Sequence, residues 1–120
     1  MTLRSVVWVG GSRDDLRKFT KPVRRLLGRA IFRAQMGLKH PKAKPLRGFG
    51  GAGVLEIVAD VDGDTYRAVY TVKLAGLIYV LHCFQKKATK GISTPQREIE
   101  LIRRRLALAE EDYAKRQTLR

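Results

Sequence analysis

Between Val54 and Phe84 the chain carries three strand signals in quick succession, and the last of them restricts the fold most. Val54 to Ala59, Thr65 to Leu74 and Leu77 to Phe84 are separated by Asp62-Gly63-Asp64 and Ala75-Gly76, residues that make tight turns. The three therefore read as an antiparallel meander. Leu77 to Phe84 is apolar on both faces, as a central strand would be, so both faces of the sheet need cover.

The flanking segments supply that cover. Ser5 to Val9 reads as a short strand closed by Gly10-Gly11, with Ser12 placed to cap a helix whose first turn holds Asp14 and Asp15. A second helix starts at Pro22 and ends near Gly37; Val23, Leu26, Leu27, Ala30, Ile31 and Ala34 form its buried stripe, and Arg24, Arg25, Arg29 and Arg33 its outer face. Leu38 to Gly53, with two prolines and several glycines, has the composition of a loop. After a second loop, Gln85 to Ser93, Thr94 can cap a helix that starts at Pro95 and buries Ile99, Ile102, Leu106, Ala109 and Tyr113. The expected fold is α+β, in the order β-α-α-β-β-β-α: a helix hairpin and a C-terminal helix around a small antiparallel sheet. At 120 residues one domain spanning 1–120 is expected.

Charge narrows the partner. Twenty-five Lys and Arg against eleven Asp and Glu give +14, a field that implies a polyanion. No acidic residue occurs from Leu16 to Leu55, while Arg17, Lys18, Lys21, Arg24, Arg25, Arg29, Arg33, Lys39, Lys42, Lys44 and Arg47 are basic. Arg67, Lys86, Lys87 and Lys90 form a second set on the sheet and the loop after it. Such a surface binds phosphates by counterion release. The outer arginines of the second helix read as a solvated face or a partner contact, whereas Arg67 interrupts a strand pattern, where an arginine needs a partner or a task.

Several classes are set aside. Cys83 is the only cysteine and sits in an apolar run, so it reads as a buried thiol in a chain suited to a reducing cytoplasm. No apolar stretch reaches the length of a membrane span, so no membrane partner is expected. His40 and His82 make no metal spacing, and Asp60, Asp62 and Asp64 read as turn formers, so neither a metal nor another cofactor is expected. No GK[ST] follows the glycines at 50, 51 and 53, which excludes a P-loop. A cation-rich sheet surface remains. It suffices for cleaving RNA, which brings its own nucleophile, the 2′-hydroxyl.

VVWVGGSRDDLRKF, AKPLRGFGGAGVLEI, TYRAVYTV, YVLHCFQKKATKGISTP and EIELIRRRLALAEEDY follow one another in an order and spacing that resemble the phage-derived HigB-like branch of the RelE toxin superfamily over nearly the whole chain. That resemblance implies a microbial-ribonuclease-like fold, cleavage of mRNA, usually on the ribosome, and neutralisation by a helix-turn-helix antitoxin. It also implies that Arg67 holds the scissile phosphate, that Lys86 and Lys87 anchor a flanking phosphate, and that Arg47 lies near the site. Lys44 and Lys90 are expected to add RNA contacts. Where some relatives carry two lysines on the first strand of the meander, this chain has Glu56 and Val58, and the C-terminal tyrosine of some members has no counterpart. Glu56 or His82 is then left to move the proton, each with a structural alternative: Glu56 as ion-pair partner of Arg67, His82 as a hydrogen-bonded core residue. The rival to a ribonuclease is a basic protein of phage origin that binds nucleic acid or an antitoxin without catalysis.

Overall fold

The computed structural model describes residues 2–50, 53–86 and 94–119. The elements run β1 (Ser5–Trp8), α1 (Ser12–Arg17), α2 (Lys21–Gln35), β2 (Lys44–Pro45), β3 (Val54–Val61), β4 (Asp64–Thr71), β5 (Leu77–Lys86) and α3 (Gln96–Thr118). The strands form one sheet in the order β1-β5-β4-β3-β2. No helix of the described residues is long and apolar enough to cross a membrane.

The expected α+β order holds, with two additions. β1 pairs in parallel with β5, Ser5 opposite Leu77 and Trp8 opposite Val80, so the sheet is mixed and β5 becomes internal over that stretch. Within the expected loop Leu38 to Gly53, Lys44–Pro45 adds an edge strand antiparallel to β3. Proline lacks an amide hydrogen to donate, so Pro45 is tolerated at such an edge.

The β3–β4 hairpin shows how local residues set global register. Val61 pairs with Asp64, leaving Asp62 and Gly63 as a two-residue turn. Both have positive φ, 52° and 83°. That is the type I′ geometry for which Asp-Gly is suited, because its twist matches that of the strands.

Two apolar clusters lie on opposite faces. α2 sets Val23, Leu27, Ala30, Ile31 and Ala34 against Ile57, Ala59, Ala68, Tyr70, Ile78 and Val80. α3 covers the other face with Ile102 and Ala109 against Val69, Tyr79 and Leu81, joined by Phe49 and Phe84. α1 and α2 each pack onto the sheet, and Phe19 beyond α1 meets Tyr66 with ring centroids 4.9 Å apart. Two expected caps take other roles. Ser12 is fully buried inside α1, its hydroxyl donating to the Val80 carbonyl at 3.1 Å. α3 begins one residue later than expected, with Pro95 at its N-cap and no side-chain cap from Thr94.

Candidate nucleic-acid interface

Arg67 faces α3, on the side of the sheet where Val69 and Thr71 point, as strand parity dictates. For β5 parity fails. Val69 pairs with His82 but Tyr70 with Val80, so Leu81 has no opposite number and forms a β-bulge. The extra residue shifts the alternation: Tyr79 and Leu81 face α3 before it, and His82, Phe84 and Lys86 face α3 after it. A regular strand would send His82 and Lys86 to the α2 side. The bulge is thus what brings Lys86 to the face of Arg67.

On that face four charged side chains cross four strands diagonally. Lys44 on β2 lies opposite Glu56 on β3; Arg67 on β4 lies opposite Val58, two residues along from Glu56; Lys86 on β5 lies opposite Thr65, two residues along from Arg67. Diagonal neighbours of this kind are within reach of long side chains. Arg67 Nη1 donates to Glu56 Oε2 at 2.7 Å, and Lys44 Nζ stands 3.7 Å from Glu56 Oε1. Glu56, Arg67 and Lys86 are all buried. The ion-pair reading of Glu56 is therefore the one the geometry displays. Burial, then the nearby Arg67 charge, lower the Lys86 pKa; Glu56 pulls the other way, and Lys44 adds the least to the lowering.

His82 belongs to a different cluster. Its Nε2 lies 2.6 Å from Glu98 Oε2, and its ring stacks on Phe84 with centroids 4.7 Å apart. Arg105 Nη1 reaches His82 Nδ1 at 3.3 Å and donates to the Leu81 carbonyl at 2.9 Å. Arginine can only donate, so Nδ1 is the accepting nitrogen and Nε2 carries the hydrogen given to Glu98. Arg105 thus satisfies the carbonyl that the bulge displaces. Gly10, at φ 56°, leaves it room: a Cβ there would stand 2.8 Å from Arg105 Nε. The cluster ties α3 to the bulge and uses both ring nitrogens of His82.

Beside the charged row opens a cleft of about 650 Å³, walled by Lys44, Pro45, Leu46, Arg47 and Gly48 on one side and Thr94, Gln96, Ile99 and Arg103 on the other, with Glu56 in its wall. The site residues expected from sequence thus separate into three sets. Lys44, Glu56, Arg67 and Lys86 form the row, with Arg47 in the cleft wall; His82, on the same face and lining a second pocket with Lys86, is engaged by Glu98 and Arg105; Lys87 and Lys90 lie outside the described residues. Arg103 and Arg105 were not expected. Their signal was present, since both flank the apolar stripe Ile99, Ile102 and Leu106, but three consecutive arginines give no reason to separate wall from solvent.

Fold and site together define a small basic α+β protein with a cationic cleft on one half of a sheet. The family model described as Phage derived protein Gp49-like (DUF891) matches residues 14–107, more than three quarters of the chain. The chain belongs to this phage-derived Gp49-like family. No curated protein matches it.

Proposed function

We infer that the protein is the toxin of a toxin–antitoxin pair and that it cleaves messenger RNA at the cleft. The observation that carries this reading is the row Lys44, Glu56, Arg67 and Lys86, with all but the half-exposed Lys44 buried, on a sheet face whose Lys44–Glu56 end opens to a cleft, in a chain of net charge +14. Buried charges are costly to keep, and a cluster rich in cations at a cleft suits a substrate that is itself an anion.

In the proposed reaction the scissile phosphate seats against Arg67, competing with Glu56 for the guanidinium. The 2′-oxygen attacks phosphorus while Glu56 accepts its proton. Arg67 and Lys44 stabilise the extra negative charge of the phosphorane. The P–O5′ bond then breaks, Lys86 gives a proton to the departing 5′-oxygen, and a 2′,3′-cyclic phosphate is left. A lowered pKa makes the Lys86 ammonium a better acid than an ordinary lysine. Arg47, with Lys87 and Lys90 that follow Lys86 in sequence, extends the phosphate contacts. His82 braces α3 and moves no proton in this scheme. Ribosome-bound mRNA as substrate and a helix-turn-helix antitoxin as partner rest on the resemblance of the sequence to RelE-type toxins.

The test is induced expression in a bacterial host, wild type beside Arg67→Ala, with 5′ ends mapped on translated and untranslated copies of one transcript. Growth arrest with cuts in the translated copy only, both lost in the variant, is the expected result. Cuts that persist in a folded Arg67→Ala protein overturn the role of Arg67. No cuts in either copy overturn catalysis and leave a basic binding protein.

A further inference from the structure

Arg103, an exposed residue of α3, has its head held by a ring and a backbone carbonyl. Its guanidinium carbon lies 4.7 Å from the centroid of the Phe49 ring, and its Nη2 donates to the Gly48 carbonyl at 2.7 Å. Phe49 is buried, so the ring is a fixed floor. Gly48, at φ 95°, has no side chain to intrude; a Cβ there would approach Arg103 Nη2 to 3.4 Å. An exposed arginine ordinarily samples many rotamers, and ordering it costs entropy. Here one face of the planar cation rests on Phe49 while the residue as a whole stays exposed and walls the cleft that contains Glu56 and Lys44.

A planar cation, covered on one side and open on the other, stacks a flat π-system in the way that arginine planes and aromatic rings hold unpaired bases. We propose that Arg103, seated on Phe49, is the shelf on which one unpaired nucleobase of the RNA stacks, in the cleft that Lys44 and Glu56 also line. This rests on the reading of the cleft as an RNA site and adds to it a base-binding position. The carbonyl of Gly48 fixes the shelf and not the base, so stacking alone tolerates any base. Preference among bases would come from groups lining the cleft, such as Gln96, whose amide both donates and accepts.

The experiment uses the full chain with short unstructured RNA, 2′-O-methylated throughout so that it cannot be cut, and carrying 2-aminopurine at one position at a time. Stacking quenches this base. One position is expected to be quenched on binding, and removing the base there is expected to weaken binding about tenfold, within the range for one stacked base. Arg103→Lys keeps the charge and loses the plane, so it should abolish both the quenching and the cost of the abasic site while leaving the salt dependence unchanged. Salt-dependent binding with no quenched position, or quenching that survives in Arg103→Lys, overturns the shelf and leaves the RNA-site reading standing. If the wild-type protein binds this RNA neither free nor on ribosomes programmed with it, both readings fail.

Discussion

The two faces of the sheet are covered to different extents, and the difference separates what holds the protein together from what it offers to a partner. On the α2 face, cover is apolar from Val6 and Trp8 on β1 to Leu55, Ile57 and Ala59 on β3, and five residues of α2 are buried in it. On the α3 face, the helix buries only Ile102 and Ala109 and lies against β5. Toward β3 and β2 the same face carries the row from Lys86 to Lys44. A longer apolar stripe on α3 would close that half and remove the cleft. Twenty-three helical residues with so little burial are explained by a helix that also supplies Glu98, Arg103 and Arg105 to its flanks.

The strongest way to break this contrast is to make the open half dry. Arg67→Met alone leaves the buried Glu56 carboxylate with the half-exposed Lys44 as its salt-bridge partner, and should destabilise the protein by about 3–5 kcal/mol, the usual cost of removing one member of a buried pair. Adding Glu56→Leu should restore much of that loss, because an apolar pair of similar volume is often neutral or better. Urea unfolding of the two single variants and the double variant reads the coupling. The double variant should fold and have lost RNA cleavage. If it is as unstable as Arg67→Met, the row holds the fold together and the contrast between the faces fails.

Next in size is the covered face itself. Leu27 is fully buried in the middle of the α2 stripe, and Leu27→Ala should cost about 2–5 kcal/mol by leaving a cavity under the sheet. Cleavage per folded molecule should stay as it was, measured well below the unfolding midpoint. Loss of activity without loss of stability would show that the two faces are coupled through the strands.

A third effect appears at alkaline pH and divides between the faces. Burial pushes the Cys83 thiol from 9.0 to about 12 and the Tyr70 hydroxyl from 10.0 to about 12, both on the α2 face. On the α3 face, burial and the hydrogen bond to Asp112 raise Tyr79 to about 12. In each case the folded state keeps a proton that the unfolded chain releases, so stability is intact below pH 9 and falls as pH rises toward 12. Lys86 has the opposite sign: its lowered folded value means the unfolded chain binds the extra proton, and stability gains as pH rises from that value to 10.5. Cys83→Ala should move the onset of alkaline loss from about pH 9 toward pH 10, read by urea midpoints at stepped pH. An unchanged onset would mean that the thiol is not dry in solution.

How far the sequence disclosed this arrangement depends on which physical signal each part carries. The Asp62-Gly63 turn and the α2 stripe are written in residue type, because positive φ and helical periodicity select residues strongly. The bulge at Leu81 is not: it sits in the run Tyr79 to Phe84, where every residue suits a buried strand and no glycine marks the break. For that reason the position of Arg67 relative to Val69 and Thr71 could be read from parity, while the facing of His82 and Lys86 could not. The parallel pairing of β1 with β5 and the two residues of β2 were equally silent, since both are decided by where the chain returns and not by local preference. Glu56 as partner of Arg67 was open as one of two roles because adjacent strands in a hairpin bring such residues within reach.

The smallest expected effect tests whether α2 is cover and nothing more. Gly28 lies inside α2, where glycine costs about 1 kcal/mol relative to alanine through the backbone freedom it loses on folding. A Cβ built there meets nothing within 4 Å, and the φ of Gly28 is not in the left-handed region, so neither close packing nor backbone geometry calls for glycine. Gly28→Ala should therefore stabilise the protein by about 0.5–1 kcal/mol, seen as a higher urea midpoint at unchanged slope. RNA cleavage in vitro should not change, because Gly28 lies across the sheet from the cleft. If the variant is stabilised and cleaves as the wild type does but loses toxicity in cells, α2 has a contact there that the isolated protein does not show. The division of labour between the faces would then be incomplete. If stability and toxicity behave as expected, the α2 face is cover, and RNA recognition is confined to the half of the sheet that α3 leaves open.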